Sequence, residues 1–371
     1  MKFKWYMPTE VFFGTGKLER LPEITDKLSA SRPLLVIGSG AMAGAADRVK
    51  KLLSCSDLAV HQGVNVNLPL EDVDKIISSA RKHDADAVIG MGGGSVMDGA
   101  KAAALMSGGS AGVRDHLAGK KLPRPLPFVS IPTTSGTGSE VTPFMIFMDV
   151  DARKKLSFGP PQAFAKATIV DPDLTLSLPK DQTAATGLDA LSHCLESYWS
   201  KLATPPADAL ALQGISAVFD NLEKAYNNPH DRQARAGMAY AAMIAGMALA
   251  QTATAAVHGL TYPMTAHHGV AHGFACAFVM RDVMKINFHH LSREKQDRLL
   301  KAMRSNTIGA ALDYMTDVMK NVGAPETLNE LGIPASAIDT YIREATPKNL
   351  DRNIAPLEAE RIREIWKGKI K

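Results

Sequence analysis

The chain is poor in cysteine. It has three in 371 residues, Cys55, Cys194 and Cys276, an odd number with no repeated spacing. That excludes a disulfide framework and makes a reducing cytoplasm the expected compartment. Clustered charge is scarce as well. The net charge is +4, the basic residues are dispersed, and the densest run, 120–124, reads as a solvated loop among prolines. A nucleic-acid footprint is therefore absent. The opening segment MKFKWYMPTEVFFG has no apolar core of signal-peptide length and is interrupted by Pro8 and Glu10. No internal repeat or low-complexity tract is visible. One uncharged run, 236–257, is long enough to cross a bilayer. It consists mostly of Ala, Gly, Met and Thr with Gln251 inside, which gives a weak insertion signal, so a buried helix is expected and no membrane partner.

What is present is an ordinary globular composition, 46% hydrophobic and 22% charged, at a length that suits two domains. The two halves differ in grammar. Short, β-branched-rich runs at 34–37 (LLVI), 87–91 (AVIGM), 128–131 (FVSI) and 145–147 (MIF) are bounded by Gly, Pro or Asp. Between the first two, Val73, Ile76, Ile77 and Ala80 keep helical spacing. Strands alternating with helices predict βαβ units and a mainly parallel sheet covered on both faces. After the Pro- and Asp-punctuated stretch 170–179, long helical patterns take over at 183–200, 206–226, 232–258 and 293–322. The expected division is an α/β domain over 1–178 and an all-α domain over 179–371.

Two segments of the first half carry phosphate-binding chemistry. Gly92, Gly93 and Gly94 follow a predicted strand, and Ser95 to Asp98 open a helix. Glycine admits close backbone approach, and a helix N-terminus offers free N–H groups to an anion. Alone, the triplet reads equally well as a tight strand-to-helix turn with Ser95 as cap. The second segment, PTTSGTGSEVT at 132–142, places six hydroxyl residues and two glycines just past another strand, where open α/β sheets bind ligands. Two such loops favour a dinucleotide. No Gly-Lys-Ser/Thr follows the glycines, which disfavours nucleotide hydrolysis.

The second half carries metal-binding chemistry. Asp189 and His193 lie four apart in a helical pattern and share a face. Four of the eleven histidines, His258, His267, His268 and His272, fall within fifteen residues. A carboxylate plus imidazoles suits Zn²⁺, Fe²⁺ or a neighbouring divalent ion. Residue chemistry alone does not choose among the last three histidines.

Five ordered motifs extend a resemblance over nearly the whole chain: MPTEVFFGTGKLERL near the start, GGGSVMDGAK at 92–101, PTTSGTGSEVT at 132–142, TGLDALSHCLESY at 186–198 and HGLTYPMTAHHGVAHG at 258–273. They resemble the iron-containing (group III) alcohol dehydrogenases. The resemblance implies a Rossmann-like, dinucleotide-binding N-terminal domain and an all-α, dehydroquinate synthase-like, metal-binding C-terminal domain. It implies a divalent metal, iron first and zinc second, on Asp189, His193, His258 and His272. It also implies cofactor contacts at Gly93, Gly94, Ser95 and Asp98, with Thr133, Thr134, Thr137, Thr142 and Lys155 around the diphosphate, ribose and nicotinamide. A homodimer or larger assembly is expected.

Three departures qualify the resemblance. Tyr262 stands where many relatives carry a further His, so Tyr262, His267 and His268 are all candidates for proton transfer. Phe144 stands where some relatives have Asn, which implies a more apolar pocket. Gly38, Ser39 and Gly40 stand where strict NAD users place an Asp; with Ser39 as a cofactor contact and no carboxylate to repel a 2′-phosphate, NADP is expected to be accepted alongside NAD. The expected reaction moves a hydride between nicotinamide C4 and a small alcohol or aldehyde, the substrate oxygen on the divalent ion. Glycerol dehydrogenase-like or dehydroquinate synthase-like chemistry is the rival, and a non-catalytic metal or nucleotide sensor is the remote one. The metal region lacks the Lys and Arg that a synthase pocket needs.

Overall fold

The structure is a computed structural model that describes residues 2–39, 44–53 and 57–371, so Gly40 and Cys55 lie outside the described residues. The chain divides into two compact units. One comprises Tyr6–Thr134 and Gly138–Ser177; the other comprises Leu178–Lys371 with Ser135–Thr137 and the N-terminal residues up to Trp5.

The first unit is built on strands β1 (Glu10–Phe13), β2 (Pro33–Gly38), β3 (Ala59–Val64), β4 (Ala87–Gly92), β5 (Phe128–Pro132), β6 (Met145–Asp149), β7 (Lys154–Phe158) and β8 (Ala167–Val170). Its helices are α1 (Leu21–Lys27), α2 (Ala45–Leu53), α3 (Leu70–Lys82), α4 (Gly94–Met106) and α5 (Val113–Leu117). Six strands form a parallel sheet in the order β1-β8-β5-β4-β2-β3. Side chains alternate along each strand, and both faces are buried: Leu34, Val36 and Val88 join one apolar cluster, while Leu35, Ile37, Ile89 and Met91 join another. The predicted strand at 145–147 exists, but it pairs antiparallel with β7 in a separate two-stranded sheet. Apolar runs do not reveal which sheet they join.

The second unit is helical: α6 (Lys180–Trp199), α7 (Pro205–Asn227), α8 (Arg232–Thr252), α9 (Ala256–His268), α10 (His272–Phe288), α11 (Arg293–Ala302), α12 (Ile308–Asn321), α13 (Ala337–Arg343), α14 (Pro347–Arg352) and α15 (Ala359–Lys367). One cluster running from Ala184 to Trp366 forms its core. Small residues set the spacing: a Cβ on Gly214 of α7 would lie 2.4 Å from Cys194 Sγ of α6.

Two of the helices expected from periodicity are pairs. The pattern at 293–322 is split into α11 and α12, where the Thr307 hydroxyl accepts from the Ala310 N–H at the start of α12. The pattern at 232–258 is α8 and α9, bent by 107°. Among the described residues no single helix is long and apolar enough to cross a membrane. The bend turns on Ala253, whose φ of 54° and ψ of 177° lie in a region that is nearly glycine's alone. Such a conformation costs about 1–3 kcal/mol, against about 0.5–1 kcal/mol for the extra unfolded-state freedom of a glycine. Ala253→Gly should therefore raise the melting temperature by about 2–4 °C, for a net gain near 1 kcal/mol, and Ala253→Val should lower it. A thermal scan in which the glycine variant melts no higher than the parent would show an unstrained bend.

Candidate metal centre and dinucleotide loops

Three helices of the second unit converge on Asp189. Asp189 and His193 lie one turn apart on α6, His258 opens α9 and His272 opens α10. Asp189 Oδ1 stands 3.7 Å from His193 Nε2, 3.6 Å from His258 Nε2 and 3.8 Å from His272 Nε2. The His193 and His258 rings stack at 4.7 Å, and the His272 ring stands edge-on to His258 at 5.0 Å. Asp189 and His258 are only 3% and 2% exposed, yet Asp189 Oδ1 and His258 Nε2 have no hydrogen-bond partner. Buried polar atoms are ordinarily satisfied. Donor atoms on a four-coordinate ion at about 2.1–2.3 Å would sit about 3.4–3.8 Å apart, which matches the three separations. The donor set fits a divalent ion.

Electrostatics set the charge states of these groups. Burial works to raise the Asp189 carboxyl, but His193, His272 and His258 overcome it and hold the group well below the usual carboxylate range. Burial lowers His193, which keeps a neutral imidazole available as a ligand. Burial opposes charge on His258 too, but Cys276, Glu196 and Asp189 together raise it well above the ordinary histidine range.

Glu196, wholly buried, explains the orientation of His258. One oxygen accepts from His258 Nδ1 at 2.6 Å, and the other accepts from the His258 backbone N–H at 3.3 Å. This fixes Nδ1 as the donor and turns Nε2 toward Asp189. Gly273 seats the third histidine: a Cβ there would fall 1.7 Å from the Ala185 carbonyl oxygen, so only glycine lets α10 begin against the backbone of α6.

The loops of the first unit also come together. β4 and β5 are adjacent and in register at Gly92 and Pro132, and the Thr133 N–H donates to the Gly92 carbonyl at 2.9 Å. The glycine triplet and the Thr133–Thr134 pair are thus side by side, and a Cβ on Gly93 would press on Thr134 at 3.2 Å. Gly93 caps α4 with no side-chain hydrogen bond, and Gly94 and Ser95 form the first turn. Asp98 is engaged internally. Its oxygens accept from Ser139 Oγ at 2.6 Å and the Ile146 N–H at 2.8 Å, with the buried Lys101 ammonium at 3.5 Å. Thr142 is buried, Lys155 is half-buried on β7, and Ser39 is exposed just beyond β2. Thr137 belongs to the helical unit.

Residues 8–172 match the model described as iron-containing alcohol dehydrogenase, and residues 183–370 match the C-terminal model of the Fe-containing alcohol dehydrogenase family. The chain belongs to the iron-containing alcohol dehydrogenase family. It is 34% identical to long-chain-alcohol dehydrogenase 1 of Geobacillus thermodenitrificans, over 96% of this chain and 93% of that one. It is also 34% identical to choline dehydrogenase of Bacillus subtilis, over 91% and 88%. Its structure resembles sulfoacetaldehyde reductase from Bifidobacterium kashiwanohense in complex with NAD⁺, with a TM-score of 0.92, 28% identity, and 100% and 99% of the two chains covered. As a member of this family the chain is an oxidoreductase acting on CH–OH groups.

Within this family member, the three candidates for proton transfer stand in different places. Tyr262 lies on α9 one turn beyond His258, its ring 5.8 Å from that of His272 and 6.0 Å from that of His258. His267 and His268 end the same helix, roughly 13–15 Å from His258 along its axis at 1.5 Å per residue. His267 Nε2 is bound to Glu344 at 2.7 Å, while His268 is exposed and packs edge-on to Tyr341. Sequence reasoning missed Glu196 and Cys276. Both carried a signal: Glu196 is three residues beyond His193 on the same helix face, and Cys276 is four beyond His272.

Proposed function

We propose that this enzyme interconverts small alcohols and aldehydes with a nicotinamide cofactor, using a divalent ion, Fe²⁺ or Zn²⁺, held by Asp189, His193, His258 and His272. The observation that carries the reading is the buried Asp189 oxygen without a hydrogen-bond partner, 3.6–3.8 Å from three imidazole nitrogens. An ion held there supplies Lewis acidity toward the oxygen of an alcohol or carbonyl, and the nicotinamide accepts or returns the hydride. The protein orients and shields. Glu196 fixes the His258 ring, Gly273 lets His272 approach, and Asp189 and His258 are buried from water. Gly93, Gly94, Ser95, Thr133 and Thr134 are suited to hold the cofactor diphosphate against the start of α4, while Asp98 braces the loop from behind. Thr137, Thr142 and Lys155 complete the proposed set. The exposed Ser39, with glycines and no carboxylate as its neighbours in sequence, supports acceptance of NADP as well as NAD.

Protein stripped of metal and reloaded with Fe²⁺ or Zn²⁺ should oxidise NADH or NADPH with a panel of short aldehydes, and His258→Ala and His272→Ala should abolish turnover. Absence of metal-dependent turnover with every aldehyde and alcohol tried would overturn the reading. Proton transfer is assigned to Tyr262, on its position against His272 and His258. Tyr262→Phe should lower kcat about 10²-fold, whereas His267→Ala and His268→Ala should leave it close to the parent value. The reverse ranking would move the role to the end of α9.

A further inference from the structure

The donor atoms of Asp189, His258, His272 and Cys276 all lie within 4.8 Å of one another. This quartet differs from the one the family motif implies. It exchanges His193, on α6, for Cys276, on the first turns of α10. Cys276 lies one turn beyond His272, wholly buried, with Sγ 3.9 Å from His272 Nε2 and 3.8 Å from Thr261 Oγ1. Neither distance describes a strong hydrogen bond, and Thr261 already donates to the Val257 carbonyl at 2.8 Å. The thiol therefore shares the space into which Asp189 Oδ1 and His258 Nε2, both buried and without hydrogen-bond partners, also point.

We infer that Cys276 is a metal donor in this chain, so that its centre combines one thiolate with a carboxylate and imidazoles. The inference rests on the metal-centre reading above and adds a ligand to it. On binding, a sulfur–metal bond forms and the thiol proton leaves to solvent, with no change of oxidation state. Sulfur is a soft donor, so the site is biased toward Zn²⁺ and Co²⁺ relative to Mn²⁺ or Mg²⁺. The only other described cysteine, Cys194, is turned toward Gly214 of α7.

The test is the electronic spectrum of the Co²⁺-loaded full-length protein. The expected result is a near-ultraviolet thiolate-to-cobalt charge-transfer band together with visible ligand-field bands. In Cys276→Ser the charge-transfer band should vanish while the ligand-field bands remain, and Zn²⁺ affinity measured against a chelator should fall at least ~10-fold more than Mn²⁺ affinity. Ligand-field bands without a charge-transfer band in the parent protein would overturn the assignment of Cys276 and leave the Asp/His centre standing. A charge-transfer band that survives Cys276→Ser would also overturn it. Failure of the parent protein to bind cobalt at all would overturn both readings. The parent spectrum needs no variant, so poor folding of Cys276→Ser does not remove the test.

Discussion

Asp189→Asn should leave a protein that folds but no longer retains its ion. Asp189 is the one carboxylate in the centre the family motif implies, and its Oδ1 is the atom from which all three imidazoles are 3.6–3.8 Å distant. Asparagine keeps the shape and removes the charge. Three neutral imidazoles then face a dication with no neighbouring anion among those four ligands. Residues that merely orient a ligand cost 10–100-fold in metal affinity or activity when mutated, so loss of a direct anionic ligand should exceed about 100-fold. Metal content after dialysis and kcat/KM in the reloaded protein give the answer. A variant with one equivalent of metal and parental turnover would remove Asp189 from the centre.

The second large effect belongs to a residue that touches no metal. Glu196→Gln should weaken metal binding by roughly 10–100-fold, with turnover at saturating metal falling less. Glu196 accepts twice from His258, through Nδ1 and through the backbone N–H, and is itself shut away from water. Glutamine offers one acceptor and one donor where two acceptors are needed. One of its groups must face a like partner, and the imidazole loses the carboxylate that raises its basicity. Competition with a chelator across a zinc series reads the change directly. A structural role alone would lower the melting temperature without altering metal affinity in the folded protein, and that result would refute the orienting role.

Much of this was legible in the sequence, for physical reasons that vary by element. The strands β2, β4 and β5 are buried on both faces, so they read as unbroken apolar runs between turn residues. β3 is an edge strand whose His61 and Gln62 face partly outward, and no apolar run marks it. The 3.6-residue period exposed α6 and placed Asp189 and His193 together. It could not show the break between α8 and α9, because neither glycine nor proline punctuates that stretch and an alanine holds the strained turn. Glu196 was missed because a carboxylate in a helix ordinarily faces water. Only the arrival of α9, through tertiary packing, makes it the partner of His258. Cys276 was missed because the cysteines were weighed for spacing along the chain and not for position on a helix face. His267 and His268 drew attention through proximity in sequence, although α9 carries them away from His258.

The seating of Gly273 against the Ala185 carbonyl oxygen has a consequence for how such an enzyme can diversify. Side chains yield to one another, but two main chains in contact leave little to adjust. The origin of α10 is thereby fixed to the helix that bears Asp189, and His272 is carried at a constant offset from it. Residues lining the centre that neither hold this offset nor transfer the proton can then be exchanged by natural drift or by design, and exchange of Cys276 would alter which metal is preferred. Substrate preference and metal choice become tunable on a frame whose geometry does not move.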